Sequence, residues 1–264
     1  MKIAMWSGPR NLSTAMMYAF AARGDCAVVD EPFYGAYLSA TGMDHPMRDA
    51  VIASQNPDPA QVAAACTGPV PQAQSHFYQK HMTLHMIPAF PRGFMRDLTN
   101  VFLIRHPARV VASYAKKREG PTLADIGFVQ QAELFDEVAD TLGHAPIVID
   151  SADIRANPAH ALSGLCAALG IPYTDRMLHW PMGPKPYDGV WAPHWYNAVH
   201  KSTGFEDPEG AIPDLPTHYA AIDDQVVQRQ PNHAVVGSKG QGEEVAHDAR
   251  GDPVVAPTAE RGSR

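Results

Sequence analysis

The stretch WSGPRNLST, residues 6–14, decides the fold of this chain, because it joins an apolar run to a helix-forming one. The apolar run is Ile3–Met5, and the segment Ala15–Ala22 on the other side consists largely of good helix formers. A strand, a tight loop and a helix in this order present backbone N–H groups and the positive end of a helix to an anion. We therefore predict a phosphate-binding loop, with the planar, permanently charged fork of Arg10 at its mouth.

The loop residues support this prediction individually. Gly8 supplies backbone freedom, Pro9 fixes the next φ angle, and Asn11 is a candidate N-cap for the helix. Ser13 and Thr14 fall in the first turn, where hydroxyl and N–H groups point outward. A plain β–turn–helix connection stays open as the alternative, since it needs a glycine and a cap but no arginine. The predicted binding residues are Ser7, Gly8, Pro9, Arg10, Asn11, Leu12, Ser13 and Thr14.

The loop differs from the ATP-binding sequence G-x-x-x-x-G-K-[ST]. After Gly8 there is no second glycine and no lysine at the required spacing. This difference counts against an ordinary ATPase or kinase and leaves open other ligands that carry a phosphate or a phosphate-like group.

Length and composition limit the remaining possibilities. The chain has 264 residues, 45% hydrophobic and 19% charged, which suits one large α/β domain or two small ones. Its formal net charge of −7 excludes a generally basic nucleic-acid binder, although a local arginine cluster can still attract an anion. Cys26, Cys66 and Cys166 fit no zinc or disulfide spacing and predict buried thiols in a reducing compartment. The sequence contains no apolar run of signal-peptide or membrane-span length, so we expect a soluble, cytoplasmic protein without a membrane partner.

Short apolar runs alternate with helix-like segments along the first 180 residues. The predicted strands are Ile3–Met5, Cys26–Val29, Phe77–Gln79, Val101–Ile104 and Pro146–Ile149. Further predicted helices run from Pro107 to about Arg118, from Thr122 to Leu142 with a break near Gly127, and from Asn157-Pro158 to Leu169. This alternation predicts an α/β fold of three layers, a parallel sheet with helices on both faces.

We assign residues 1–230 to one α/β domain. Within it, residues 33–75 mix aromatic residues with turn formers and contain one helix candidate, Ala60–Cys66, which predicts an insertion of small helices. Residues 180–205 are rich in Trp, Tyr, Pro and Gly and form either a lid over the site or an aromatic belt packed on the domain. Residues 231–264 lack apolar periodicity and predict a disordered tail.

Polar side chains follow all five predicted strands. They are Ser7–Arg10, Asp30-Glu31, Lys80-His81, Arg105-His106 and Asp150-Ser151. Ligands of parallel sheets bind beyond the carboxyl ends of the strands, so these groups predict a ligand site at one rim. Asp150 also suits the N-cap of a following helix.

Two stretches together resemble the sulfotransferases that use 3′-phosphoadenosine 5′-phosphosulfate (PAPS). Residues 7–14, SGPRNLST, are similar to the first element of that family in its bacterial and carbohydrate-type subfamily, where arginine replaces lysine. Residues 101–114, VFLIRHPARVVASY, are similar to the second, with Arg105 and Ser113 eight residues apart. The resemblance implies a P-loop-like (P-loop NTPase-like) sulfotransferase fold and PAPS as the sulfuryl donor.

The resemblance also implies roles for single residues. The loop, with Arg10, Ser13 and Thr14, would hold the 5′-phosphosulfate, and Arg105 and Ser113 the 3′-phosphate. Leu12 stands where related loops often carry glycine. The family's late Arg-Lys-Gly contact has no match here, and Lys185 and residues 202–204 are the candidates to replace it.

The catalytic base has two candidates, Glu31 and His81. Glu31-Pro32 resembles a Glu-Pro of the bacterial and carbohydrate members, and Lys80-His81 is similar to the Lys-x-His of the cytosolic members. We favour Glu31, because Arg10 points to the first subfamily. His81 and His85 stand four residues apart, but Pro88 argues against a helix there, and we predict no metal site.

The leading hypothesis is in-line transfer of a sulfuryl group from PAPS to a hydroxyl or amine of a small-molecule or glycan acceptor, with Arg10 assisting. The first alternative is a P-loop-type phosphotransferase that uses ATP and magnesium. The second is a non-catalytic nucleotide-binding protein of the same fold. The oligomeric state does not follow from the sequence.

Overall fold

Five parallel strands form the centre of the molecule. The computed structural model describes residues 1–115 and 125–215. Its strands are β1 (Lys2–Ser7), β2 (Cys26–Asp30), β3 (His76–Met82), β4 (Thr99–Ile104) and β5 (Ile147–Asp150). They pair in the order β2-β3-β1-β4-β5, so that β1 lies at the centre with β3 and β4 beside it.

Helices cover both faces of this sheet. They are α1 (Ser13–Ala22), α2 (Tyr34–Thr41), α3 (Arg48–Ser54), α4 (Pro59–Thr67), α5 (Pro107–Ala115), α6 (Phe128–Leu142), α7 (Ser151–Ala156), α8 (Pro158–Leu169) and α9 (Ala192–Trp195). Short 3₁₀ turns lie at Pro71–Ala73, Thr83–His85, Gly93–Asp97, Asp175–Leu178 and Val199–Lys201.

The alternating side chains of β1 divide the core into two layers. Ile3 and Met5 pack on the face that α1 and α8 cover, whereas Ala4 and Trp6 pack on the face that α2, α4 and α6 cover. All four side chains are fully buried. The predicted three-layer α/β fold is therefore confirmed.

The structure confirms residues that the sequence predicted at the ends of helices. Asp150 caps α7 by accepting a hydrogen bond from the Ala152 N–H at 2.8 Å. Helix α8 ends at Gly170, which has a φ of 70°. Helix α6 begins after Gly127, in the left-handed region at φ 69°, where a Cβ would stand 2.8 Å from the Thr83 hydroxyl oxygen. The predicted break near Gly127 is thus a close contact between two chain segments.

The third strand is longer than predicted. β3 continues through Lys80 and His81 to Met82, whereas the sequence suggested that it ends at Gln79. Both side chains are buried, because carboxylates satisfy Lys80 and an aromatic layer surrounds His81. The sequence placed the end of β3 too early because the charged Lys80 lies inside the strand.

Other predictions divide between described and undescribed residues. The predicted insertion, 33–75, contains α2, α3 and α4, and α4 includes the predicted helix at 60–66. The three cysteines are free and buried. The predicted tail at 231–264, the end of the predicted helix beyond residue 115, and residues 122–124 lie outside the described residues.

Candidate active site

The loop after β1 is held by a close backbone contact and two left-handed residues. A Cβ on Gly8 would stand 2.6 Å from the carbonyl oxygen of Ile126, so only glycine fits. The glycine is required for space, whereas the sequence suggested conformational freedom. Arg10 and Leu12 have φ angles of 64° and 70°, a region that costs a non-glycine residue about 1 kcal/mol or more. Leu12 thus adopts a conformation for which glycine is the usual residue.

The predicted N-cap is wrong. The residue before α1 is Leu12, and no side chain caps the helix there. Asn11 is fully buried, and its Nδ2 donates a hydrogen bond at 3.3 Å to the carbonyl oxygen of Leu103 in β4. The asparagine therefore ties the loop to the neighbouring strand. The first N–H groups of a helix have no intrahelical partner, and Ser13, Thr14 and Ala15 of α1 line the cavity described below.

The two stretches whose sequences predicted one nucleotide site, residues 7–14 and 101–114, contact each other in the structure. The Nε of Arg10 donates to the Ser113 hydroxyl at 3.0 Å, across 103 residues of sequence. The guanidinium of Arg105 donates to the carbonyl oxygen of Arg10 at 2.5 Å. Burial, together with the neighbouring Arg105, lowers the pKa of Arg10 from its usual value, and the nearby Glu206 opposes this shift.

One cavity of about 420 Å³ connects this loop with the end of β2. Such a volume suits a small-molecule ligand. At one end, which we call the arginine end, it is lined by Pro9–Thr14, Arg105, Ser113, Ser151, Arg155 and Glu209. At the other, which we call the carboxylate end, it is lined by Glu31, Lys80, His85 and Tyr196. Ser7, the last residue of β1, and Gly8 are not among the described residues that line the cavity.

The carboxylate end is a buried hydrogen-bond network. Lys80 Nζ, in β3, donates to Asp30 at 2.9 Å, to Glu31 at 2.5 Å and to the Tyr196 hydroxyl at 2.6 Å. Tyr196 donates to Asp30 at 2.7 Å and accepts a hydrogen bond from the indole N–H of Trp191 at 3.0 Å. Both carboxylates are thus held by one lysine and by a residue of the aromatic segment 180–205.

Backbone geometry at the end of β2 directs Glu31 into this network. Its φ is 42°, and its N–H donates to the carbonyl oxygen of Lys80 at 2.9 Å. The side chain of Gln55 donates to the Glu31 carbonyl at 3.1 Å. A left-handed glutamate costs roughly 1–3 kcal/mol, so its surroundings must enforce the conformation.

Burial sets the charges of this network. It raises the pKa of Glu31 above its usual 4.5, with Asp30 adding to the rise and Lys80 opposing it. Burial alone would lower the pKa of Lys80, but the two carboxylates outweigh it and raise the pKa above 10.5. These shifts favour the protonated form of Lys80 and increase the proton affinity of Glu31.

His85 lies beside Glu31 and was missed as a site residue in the sequence. Its Nε2 is 4.0 Å from the Glu31 carboxylate, and its ring stacks on Tyr34 at 4.5 Å. Burial lowers the pKa of His85 well below its usual value, so the ring is neutral. Tyr34, Tyr37 and Trp195 join it in lining the cavity. The sequence showed aromatic residues in both segments, 33–75 and 180–205, but not that they meet around His85.

His81 is placed differently from the other predicted residues. Its ring stacks on Trp6 at 4.3 Å, and its Nε2 lies 3.1 Å from the Gln79 amide oxygen. It is 2% exposed, and burial lowers its pKa to about 3. His81 is not among the described residues that line the cavity.

Residues 1–115 and 125–215 contain no group of three His, Cys, Asp or Glu side chains that could hold a metal ion. None of their helices is both long and apolar enough to cross a membrane.

The aromatic segment 180–205 is anchored as well as packed. Trp180 and Trp191 are buried, and the Tyr18 hydroxyl donates to Asp188 at 2.7 Å. Trp195 and Phe205 line the cavity. The segment therefore packs on the domain through its buried tryptophans and also supplies side chains to the cavity wall, and its action as a lid stays a prediction.

Comparison with known proteins identifies the family. The model of a sulfotransferase domain family matches residues 1–230, and the chain belongs to that family. This membership supports a transferase of the sulfotransferase class.

Two Arabidopsis thaliana proteins are among its relatives. The chain is 36% identical over 225 residues to branched-chain-amino-acid aminotransferase-like protein 1, and 33% identical over 222 residues to the corresponding protein 2. Each match covers 84% of this chain but only 40% and 39% of the relatives, so the chain spans about two fifths of their length.

Solved structures give a weaker likeness. The sulfotransferase domain from the curacin biosynthetic pathway is 17% identical, with a TM-score of 0.45 over 86% of this chain and 96% of that one. The sulfotransferase domain from the Synechococcus PCC 7002 olefin synthase is 16% identical, with a TM-score of 0.46 over 84% and 93%.

Proposed function

We propose that this domain transfers a sulfuryl group from PAPS to a hydroxyl group of a small acceptor. The observation that carries the proposal is that the cavity of about 420 Å³ joins the arginine end to the buried carboxylate of Glu31. Transfer of this kind needs an oxyanion cradle at one end of the site and a base near the acceptor at the other. Family membership supports the same reaction class.

The residues at the arginine end fit the donor. They are guanidinium groups, hydroxyl groups and helix N–H groups, the donors that phosphate and sulfate oxygens prefer. The Nε of Arg105 is buried and has no hydrogen-bond partner among the described residues, so the site retains donor capacity for an oxyanion. PAPS supplies the sulfuryl group when it is bound.

The chain's own residues then have distinct tasks. The loop at 9–14, with Arg10, binds the 5′ side of the donor and neutralises the charge that develops on the leaving oxygen. Arg105 and Ser113 hold the 3′-phosphate. Glu31 accepts the proton of the acceptor hydroxyl as the new O–S bond forms and the old S–O bond breaks, and 3′,5′-adenosine bisphosphate leaves. Lys80 orients Glu31 and favours its ionised form.

We propose Glu31 as the base in preference to His81. Glu31 lines the cavity and has an increased proton affinity, whereas His81 is enclosed by Trp6 and its neighbours. A group that takes a proton from the acceptor must lie within hydrogen-bond reach of it.

At the carboxylate end, where the acceptor would bind, the cavity lining favours a compact aromatic or apolar alcohol over a glycan. Tyr34, Tyr37, Met43, Ile87 and Trp195 line this part of the cavity. Flat apolar walls bind rings and alkyl groups well, whereas a sugar needs many convergent polar groups. Phenols and small alicyclic alcohols are therefore the first acceptors to test, with amines and sugars as comparisons.

Calorimetry with 3′,5′-adenosine bisphosphate, and separately with ATP and magnesium, tests this function. We expect the bisphosphate to bind in the presence of EDTA and ATP–magnesium to bind more weakly. Arg105→Ala removes a charged donor and is expected to weaken bisphosphate binding by about 10- to 100-fold.

Arg96→Ala is the matched control, because Arg96 is exposed and bonds only to the nearby Gly93 carbonyl among the described residues. It should leave the affinity unchanged. Preferential binding of ATP–magnesium would favour the phosphotransferase alternative instead. Tight bisphosphate binding without turnover of PAPS on any acceptor would favour a non-catalytic binding protein.

A further inference from the structure

Three arginines from three different elements converge on one carboxylate at the arginine end. Arg105 follows β4, Arg109 lies in α5 and Arg155 in α7. All three form ion pairs with Glu209: Arg109 Nε at 3.2 Å, Arg155 Nη1 at 3.0 Å, and Arg105 through its Nη2. The Glu209 side chain is only 4% exposed.

The segment around Glu209 follows the aromatic segment and reaches back over the cavity. The carbonyl of Asp207 accepts a hydrogen bond from Arg155 Nε at 2.8 Å, and the carbonyl of Gly210 accepts one from Arg109. Glu206 pairs with Arg155 at 3.2 Å. The carboxylates of Glu206 and Glu209 and two backbone carbonyl groups thus hold segment 206–210 on the arginines.

A carboxylate does not use all the donors that this site offers. Among the described residues, the buried Arg105 Nε and Ser151 Oγ have no hydrogen-bond partner. Ser151 is 1% exposed, lines the same cavity and begins the helix that carries Arg155. A tetrahedral oxyanion has more oxygens and more charge than a carboxylate, so it can occupy donors that Glu209 leaves unused.

We propose that Arg105, Arg109, Arg155 and Ser151 form a tetrahedral-oxyanion site for the donor's 3′-phosphate, and that Glu209 competes for it from within the chain. This inference rests on the proposed function for the identity of the anion. It assigns to Arg155 the late phosphate contact that the sequence sought at Lys185 and at 202–204. Lys185 instead donates to the carbonyl groups of Pro181 and Gly183.

The competition has a thermodynamic consequence. A nucleotide that needs the three arginines can bind only when Glu209 has left them, so its apparent affinity is reduced by the fraction of molecules with the arginines free. Glu209→Gln keeps the shape of the side chain and removes its charge. We expect it to tighten 3′,5′-adenosine bisphosphate binding about tenfold or more. Binding of 5′-AMP, which lacks the 3′-phosphate, should not change.

A double-mutant cycle of Glu209 and Arg155 tests whether the gain in affinity depends on the arginine. Arg155→Gln should weaken bisphosphate binding about tenfold, and the double variant Glu209→Gln/Arg155→Gln should lose most of the gain. Glu133→Gln, at an exposed position on α6, is the matched control and should change neither affinity. Equal bisphosphate affinities for wild-type protein and Glu209→Gln, or an equal gain for 5′-AMP, would overturn the proposal.

Hydrogen exchange on the unmodified protein supplies a measurement that needs no variant. Saturating bisphosphate should speed amide exchange in segment 206–210 while slowing it in the loop at 9–14. Unchanged or slower exchange in segment 206–210 would show that Glu209 stays in place and would overturn the competition.

An experiment with inorganic sulfate distinguishes failure of this inference from failure of the proposed function. If the bisphosphate binds to neither wild-type protein nor Glu209→Gln, the proposed donor is wrong, and sulfate alone decides the oxyanion site. Sulfate should then raise the melting temperature of Glu209→Gln more than that of the wild-type protein. Equal stabilisation of the two would mean that Glu209 is a structural ion pair and would overturn the inference.

Discussion

The two ends of the cavity hold their charges in different ways. At the carboxylate end, Lys80 and Asp30 are each 2% exposed and bond directly across neighbouring strands. At the arginine end, Arg105, Arg109 and Arg155 are 15–17% exposed, and their carboxylate partners come from segment 206–210. The first end is built into the sheet, whereas the second is closed by a chain segment that follows it. We infer that the proposed base is preorganised, whereas segment 206–210 and the nucleotide can replace each other at the arginine end.

The largest expected effect tests the carboxylate end. Glu31→Gln removes the proposed base but keeps its size, and we expect kcat to fall by about 10²- to 10⁴-fold. Bisphosphate affinity should stay within twofold, because Glu31 lies at the other end of the cavity. Steady-state kinetics and calorimetry measure the two quantities, and Glu133→Gln on α6 is the control. Full turnover by Glu31→Gln would rule out this residue as the base.

Lys80→Met tests whether this end is a rigid unit. It leaves the buried carboxylates of Asp30 and Glu31 without their cation, and we expect the free energy of unfolding to fall by about 3–5 kcal/mol. Lys201→Met, at an exposed position, should change it by less than about 0.5 kcal/mol. Urea unfolding of the three proteins gives the comparison. A loss no larger than that of Lys201→Met would mean that Lys80 does not hold the carboxylate end together.

The pH dependence of turnover gives a finer test of the same end. Glu31 works as a base only when it is deprotonated, and burial raises its pKa above 4.5. The acidic limb of kcat/KM should therefore have its midpoint above pH 4.5, with activity lost as the pH falls through it. Tyr196→Phe removes a hydrogen bond to the network and should move this midpoint to higher pH. A limb that Glu31→Gln leaves in place would belong to another group.

The smallest expected effect belongs to the arginine end. Ser113→Ala removes the hydroxyl that accepts from Arg10 and should weaken bisphosphate binding about three- to tenfold, with kcat nearly unchanged. Ser54→Ala, on the exposed side of α3, is the matched control. A large loss of kcat with unchanged affinity would place Ser113 at the reacting group and not at the 3′ side.

Sequence patterns predicted the features that depend on local order. The apolar runs and the caps identified all five strands and the ends of α8, because each signal lies within a few residues of its effect. Motif spacing paired Arg105 with Ser113, whereas the described contacts join both residues to Arg10, which donates to Ser113 at 3.0 Å and whose carbonyl oxygen accepts from Arg105.

The remaining features depend on contacts between distant segments. Tyr196 reaches Asp30 across 166 residues, and Glu209 reaches Arg105 across 104. The aromatic composition of residues 180–205 marked the segment of Tyr196 as a candidate lid but not its bond to Asp30, and no local pattern marked Glu209. The N-cap prediction at Asn11 failed for the same reason, because its side chain had a better partner in β4 than in its own helix.

The bond between Tyr196 and the carboxylates has a consequence for protein engineering. The last strand of the described residues ends at Asp150, and a boundary drawn just after α8 would retain all five described strands. Such an excised module would lose the phenol that holds Asp30 and the glutamate that neutralises three arginines. Any transplant of this unit into another polypeptide must therefore carry residues through 210, although they add no strand to its architecture.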